Sequence, residues 1–222
     1  VEDIRTANTE HLAEAQTLTW RRVTKRHRWP LWQALDVARQ LVDALTPSCD
    51  RIAIAGSVRR TIATVDDIEL LAIPKYIDEP ALIQTTLWPI VNNDKKWADA
   101  GRVNLLEETL DGLSDQGNLT MRPNKKGHYT NGPLNKLLIH TTTGIPIDLF
   151  TTSAENWGMA LFVRTGPKDW NIKAMTRFNE LGLAGHAYGG VTHPDGREEA
   201  CPDEVTVFSL LEWPWREPNR RQ

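Results

Sequence analysis

Three carboxylates and a glycine-serine turn are the groups in this chain best placed to do chemistry. "DDIELLAIP" sets Asp66, Asp67 and Glu69 at the head of a run that otherwise reads as a buried strand. Side chains alternate across a strand, so Asp67, Glu69 and Leu71 point one way while Asp66, Ile68 and Leu70 point the other. The spacing therefore pairs Asp67 with Glu69. Two carboxylates on one sheet face repel and lose hydration, and a divalent cation relieves both costs; hard oxygen donors of this kind suit Mg2+ or Mn2+. "GIPIDLF" supplies Asp148, with Ile147 and Leu149 directed to a core and Asp148 to the opposite side. A third carboxylate on a neighbouring strand completes a donor set for two metals, which clamp the attacking and leaving oxygens of a phosphoryl displacement. Upstream, "AGSVRR" offers the other half of such a site: Gly56 lets backbone approach an anion, a short helix from Ser57 presents free N–H groups, and Ser57, Arg59 and Arg60 add donors and charge. Either feature alone is ordinary, because Asp-x-Glu is common on exposed strands and Gly-Ser is a common turn.

The elements that must hold these groups follow from periodicity. Residues 31 to 45 repeat apolar side chains at helical spacing after Pro30, and "TPSCD" ends that helix. "RIAIAG" alternates into a strand closing at Gly56; a short helix through Arg59 and Arg60, a loop to Val65 and the acidic strand closed by Pro74 follow. Residues 80 to 91 read as a helix, and residues 101 to 131, rich in Gly, Asn and Asp, read as loop with short strands. "NKLLIHTTTGIPIDLFTT" reads as a hairpin turning at Thr143 and Gly144. From residue 151 the character shifts to a helix near 154 to 161, another from about 168 to 181 ended by Gly182, and Gly- and Pro-punctuated turns.

Composition narrows the class. With 222 residues, 40% of them hydrophobic, the chain can bury one large core or two modest ones. Its net charge of −3 argues against coating nucleic acid by bulk electrostatics, although "WRRVTKRHRW" and "REPNRRQ" concentrate basic residues locally. Cys49 and Cys201 lack zinc or disulfide spacing. No apolar run approaches the roughly 18 residues of a membrane span, and the polar, acidic first residues are unlike a secretory signal, so no membrane partner and a cytoplasmic location are expected.

Taken together and in order, the Gly-Ser turn, short helix and Asp-x-Glu strand resemble the nucleotidyltransferase site of the polymerase β superfamily. Within it the chain is similar to the X family of DNA polymerases: "GSVRR…DDIELL" resembles the start of that family's palm, and "GIPIDLF" its strand with the third metal-binding aspartate. "LFVRTGPKDWNIKAM" resembles the segment that ends the palm, where a Thr-Gly turn precedes a helix beside the incoming nucleotide; "VFSLLEWPWREPNRR" resembles the C-terminal signature. The likeness covers residues 30 to 222 and implies an α+β fold, a mixed or antiparallel sheet flanked by helices. It implies a helical fingers-like segment (1–49), a nucleotidyltransferase palm (50–152) and a small α+β thumb-like subdomain (153–222).

The resemblance further implies Asp67, Glu69 and Asp148 as ligands of Mg2+ or Mn2+, with Asp148 also activating a primer 3′-hydroxyl. Gly56, Ser57 and Arg60 would hold the triphosphate, and Gly166 and Asn171 would lie beside the sugar and base. The implied reaction is metal-dependent DNA polymerisation on primer-template or gapped DNA from nucleoside triphosphates, by a monomer. Val163 and Arg164 replace an aromatic pair that helps the family exclude a 2′-hydroxyl, Lys168 replaces an acid, and Met175 replaces a template-contacting arginine. The N-terminal lyase module of repair polymerases finds no room in the first thirty residues, as in small viral or phage members. Two other readings stay open: template-independent nucleotide transfer to a DNA, RNA or other end, and a non-catalytic nucleic-acid-binding protein.

Further groups have two readings each. Lys125, Lys126 and Lys136 flank the hairpin and could hold nucleic-acid phosphates or sit on a solvated loop. The basic segment Trp20 to Trp29 is either a phosphate-tracking arm or a helix side whose tryptophans pack on the core. Trp213 and Trp215 are expected to pack the C-terminal part, and Arg216 and Glu217 to hold each other; among the histidines only His128, near Lys126, merits a test.

Overall fold

A computed structural model describes residues 27–78 and 102–221. The helix expected over 80–91 and most of the Trp20 to Trp29 segment lie outside those residues. Strand β1 (Trp29–Pro30) leads directly into α1 (Leu31–Leu45), whose 3.6-residue repeat buries Ala34, Val37, Ala38, Leu41 and Leu45 on one face. A single 3-10 turn, Thr46–Ser48, carries the chain into β2 (Cys49–Ile54), and α2 (Gly56–Arg59) follows at once. Next come β3 (Thr64–Val65), which pairs antiparallel with β1, and β4 (Ile68–Pro74). Asp66 and Asp67 thus stand just ahead of the strand, not within it.

Beyond β4, β5 (Tyr76–Asp78) pairs with β6 (Arg102–Asn104). A helix, α3 (Leu105–Asp115), then occupies part of the stretch expected to be loop. Its start is made by Asn104, whose side-chain oxygen accepts from the N–H groups of Leu106 and Glu107 at 3.1 and 3.4 Å. Leu106 and Leu110, one turn apart, bury its inner face. After it run β7 (Leu119–Met121), β8 (Asn131–Gly132), β9 (Asn135–His140) and β10 (Pro146–Thr151). The β9–β10 hairpin turns where expected, with Gly144 at φ 72°.

These strands make one mixed sheet in the order β2-β4-β10-β9-β7, with β8 on β9; β4 and β10 run parallel and the other pairs antiparallel. Ile68, Leu70, Ile147 and Leu149 face α1 and α3 in one apolar cluster. Leu71 and Phe150 face the other way, against Trp157, Ala160 and Leu161 of α4 (Trp157–Thr165). The opposite side of α4 packs Met159 and Phe162 against α5 (Lys168–Glu180) and α6 (Glu204–Leu210) through Trp170, Ala174, Phe178, Val207 and Phe208. Buried on both sides, α4 joins the sheet to the C-terminal elements. Gly158 makes that packing possible, because a Cβ there would come 2.0 Å from the Asp203 backbone. A small sheet of β11 (Ala184–Gly185), β12 (Val191–Thr192) and β13 (Glu198–Glu199) completes the C-terminal part.

The C-terminal tail departs from expectation in one detail. Glu217 accepts from the Trp215 indole at 3.0 Å and Arg216 stacks on Trp170 at 5.4 Å, so the two residues do not hold each other. Trp213 and Trp215 pack on Trp170 and Phe208. No helix among the described residues is long and apolar enough to cross a membrane.

Candidate active site

The sheet register lines up the charged groups. Asp148 on β10 pairs with Glu69 on β4 to one side and with Leu137 on β9 to the other. The Ala55 N–H donates to the Glu69 carbonyl at 2.8 Å, and the Arg122 N–H to the Leu137 carbonyl at 2.9 Å. Opposed residues share a face, so one row crosses the sheet: Ala55, Glu69, Asp148, Leu137, Arg122. Asp67 sits two positions before Glu69, on the same side. The row lies near the beginnings of β4 and β10, beside the last turn of α4.

Two cations that sequence reasoning did not assign reach these carboxylates. Arg122 donates through Nη2 to Asp148 Oδ1. Arg164, in the last turn of α4, stacks its guanidinium on Phe150 at 3.6 Å and on Tyr188 at 4.9 Å. Burial raises Asp148 above the ordinary carboxylate range although Arg122 and Arg164 pull it back. Burial first, and the Asp148 charge next, push Asp67 up to about 6. Burial, with Asp67 and Asp148 adding to it, pushes Glu69 up to about 8 against the pull of Arg164 and Arg60. Three carboxylates, Asp67, Glu69 and Asp148, thus face three guanidinium groups, Arg60, Arg122 and Arg164, and burial is the first cause of each raised value.

The phosphate cradle stands beside it. Gly56 has φ 60°, and a Cβ there would lie 1.9 Å from Glu69 Oε2, so only glycine lets α2 begin against that carboxylate. Ser57 and Arg60 line a cleft of about 750 Å3 together with Asp67, Glu69, Arg164, Gly166 and Asn171. Arg60 also donates to the Thr165 carbonyl, which places it along the turn where Gly166 has φ 61°. Asn171 donates from Nδ2 to the Val163 carbonyl at 2.7 Å, while its Oδ1 is buried without a hydrogen-bond partner. The fold therefore brings Ser57, Arg60, Asp67, Glu69, Gly166 and Asn171 to one cleft, with Gly56 against Glu69 and Asp148 next in the row.

Other sequence expectations need correction. Arg59 turns away from the cleft: it donates to both oxygens of Glu204 at 3.0 and 2.6 Å, and Arg221 donates to Glu204 at 2.6 Å. Burial pushes the Glu204 carboxyl up, but the hydrogen bonds from Arg59 and Arg221 hold it below its ordinary value. Lys136 is 4% exposed, and its ammonium pairs with Glu107 at 2.7 Å and Asn131 Oδ1 at 3.0 Å. Its charge is spent inside the fold, so it is not a surface contact for nucleic acid. Lys125, Lys126 and His128 are exposed on a turn closed by Asn124 Oδ1, which accepts from the Lys126 and His128 N–H groups; they do not line the cleft. Asp66 needs no correction: it lines the cleft beside Asp67, exposed and paired with Arg28 at 3.0 Å.

Hard oxygen donors whose ionised forms burial disfavours are chemically suited to a divalent cation. Among the described residues, however, no three His, Cys, Asp or Glu side chains are grouped closely enough to hold a metal ion, and Arg122 occupies one side of Asp148.

Against known proteins, no protein-family model matches the chain and no curated protein matches it in sequence. Among solved structures it is similar to the polymerase β of Leishmania infantum, determined as a ternary P/T complex, with a TM-score of 0.64 and 16% identity. The alignment covers 89% of this chain and 77% of that one. The fold is thus polymerase β-like, a mixed sheet flanked by helices.

Proposed function

We propose that the protein is a metal-dependent nucleotidyltransferase of the X family of DNA polymerases, adding nucleotides to a primer 3′-hydroxyl in gaps or short extensions. The observation that carries this reading is the in-register pair Glu69 and Asp148, with Asp67 beside it and the glycine-dependent start of α2 against Glu69. Asp67, Glu69 and Asp148 would hold Mg2+ or Mn2+ once drawn closer around it than they stand here. Bound there, the metal supplies charge neutralisation at the oxygens of the transferring phosphoryl group. Gly56, Ser57 and Arg60 take the β- and γ-phosphates through N–H, hydroxyl and guanidinium donors. The 3′-oxygen forms its bond to the α-phosphorus as the bond from that phosphorus to the bridging oxygen breaks, and pyrophosphate leaves. Asp148 accepts the hydroxyl proton. Gly166 lets sugar and base lie close to the backbone, and Asn171 Oδ1 offers an acceptor beside them. Positioning and electrostatics are the protein's contribution.

Primer extension on gapped, nicked and single-stranded DNA tests the reading. Asp67→Ala and Glu69→Ala should abolish extension with Mg2+ or Mn2+; unchanged extension by either variant defeats the assignment. A second reading, template-independent transfer, is favoured by the apolar side chains of Ile172 and Met175 where α5 lines the cleft. Addition of only the template-matched nucleotide, and only on duplex, removes it.

A further inference from the structure

We infer that the C-terminal tail carries a second nucleic-acid contact, outside the cleft: Trp215 stacks an unpaired base of a single strand while Arg216 and Arg220 take the phosphates on either side of it. Trp215, Arg216, Glu217 and Arg220 line a hollow of about 400 Å3. It lies away from the candidate active site. The cleft takes Lys168, Asn171, Ile172 and Met175 from one face of α5, whereas the tail packs on Trp170 from the other.

A buried anchor shapes the hollow. Arg221 is 2% exposed; it donates to Glu204 at 2.6 Å and through Nε to the Arg216 carbonyl at 3.2 Å, and its guanidinium lies 5.5 Å from the Trp215 ring. Pro218–Arg220 form a 3-10 turn in which the Arg220 N–H donates to the Glu217 carbonyl at 2.9 Å. The chain from Trp215 to Arg221 is thus a closed loop that displays its aromatic and basic side chains. A loop ordered in advance loses little freedom when a ligand arrives.

The chemistry of the hollow selects that ligand. Trp215 packs on Phe208 at 5.0 Å between centroids, yet its side chain remains 44% exposed, which leaves indole surface for a planar group. Glu217 accepts from the indole N–H at 3.0 Å, so the one acid of the hollow is tied to the edge of the ring. Arg216 and Arg220 are exposed, and among the described residues neither has an ion-pair partner. Arg216 rests over Trp170 at 5.4 Å, a contact that uses none of its N–H donors. Two such guanidinium groups and one aromatic surface match a nucleotide unit within a strand, a planar base between two phosphates. A duplex keeps its bases stacked on one another and offers none to Trp215, so the ligand is single-stranded. Trp170 adjoins Asn171 of the cleft in the chain, so an unpaired strand leaving the cleft past the start of α5 meets the tail.

Binding, with no turnover, tests the inference. Fluorescence anisotropy in EDTA compares labelled oligothymidylate with an abasic strand of the same length, which keeps the phosphates and lacks the bases. Wild type should bind oligothymidylate about tenfold tighter than the abasic strand, the worth of one stacked base. Trp215→Ala should lose that preference and bind the abasic strand as wild type does; Trp215→Phe should keep most of it. Arg220→Gln should weaken both strands and lower the slope of log affinity against log salt by about 0.7, one phosphate contact on a single strand. The inference is overturned if wild type does not distinguish the strands, if Trp215→Ala retains the full preference, or if Arg220→Gln leaves the salt slope unchanged. Should Trp215→Ala not fold, because its ring also packs on Phe208, the wild-type comparison and the salt slope of Arg220→Gln decide. Absence of primer extension by wild type would sink the nucleotidyl-transfer reading and leave this binding comparison standing.

Discussion

Without a divalent cation, protonation of Glu69 governs the site. Its folded-state pKa, near 8 against an ordinary 4.5, means that the unfolded chain gives up this proton first as pH rises. Between about pH 4.5 and 8 the folded protein binds more protons than the unfolded chain, so its stability falls across that window. Glu69→Gln removes the effect. In EDTA, thermal melts of Glu69→Gln and wild type should nearly coincide at pH 4 and separate by about 5 °C or more at pH 8, with the variant higher; a constant difference at both pH values would contradict the assignment. Residues of this kind were partly legible in advance. Strand alternation singles out Asp67 and Glu69 and leaves Asp66 aside, and the structure pairs Asp66 with exposed Arg28. Arg122 and Arg164 carried no such signal. Arg122 acts from a strand two places away and Arg164 from a helix packed on the same sheet face as the carboxylates, and no spacing rule connects either to Asp148.

At the scale of elements, α2 is the most constrained. Its last residue, Arg59, reaches Glu204, the next residue, Arg60, lines the cleft, and its first residue touches a carboxylate. Gly56→Ala must place a methyl group where Glu69 Oε2 lies and must also hold an alanine at φ 60°. It should lower stability by about 1–3 kcal/mol in denaturant titrations and eliminate transfer, with the nucleotide-binding step affected first. The elements themselves differed in legibility. The apolar period of α1 and the alternation around Gly144 mark a helix and a hairpin plainly. Helix α3 was obscured by Gly112 and its Asp-rich surface, although the Asn104 cap and the Leu106 and Leu110 spacing were present. Propensity was outweighed there by a cap and by packing against the sheet. The β4–β10 register that aligns Glu69 with Asp148 is a long-range pairing, and alternation within either strand gives only its faces.

For the whole molecule, the joint between the sheet and the C-terminal elements combines an apolar helix with a buried charge triad. Arg59 from α2 and Arg221 from the tail both grip Glu204 on α6. Glu204→Gln would leave two sheltered guanidinium groups without their counter-charge, and the expected cost is about 3–5 kcal/mol. Chemical denaturation should show a lower midpoint, and amide exchange should quicken in both α2 and α6 if the triad holds them together. Quickening confined to α6 would mean that α2 is secured by other contacts.

Glu69 and Asp148 are distant in the chain and become neighbours only when β10 docks alongside β4. Until then each carboxylate remains hydrated and neither senses the other. Their burial and mutual repulsion both depend on the central parallel pair, a contact of high loop-closure cost. Burial at that pairing favours the neutral form of Glu69, so completion of the sheet is coupled to proton uptake between about pH 4.5 and 8.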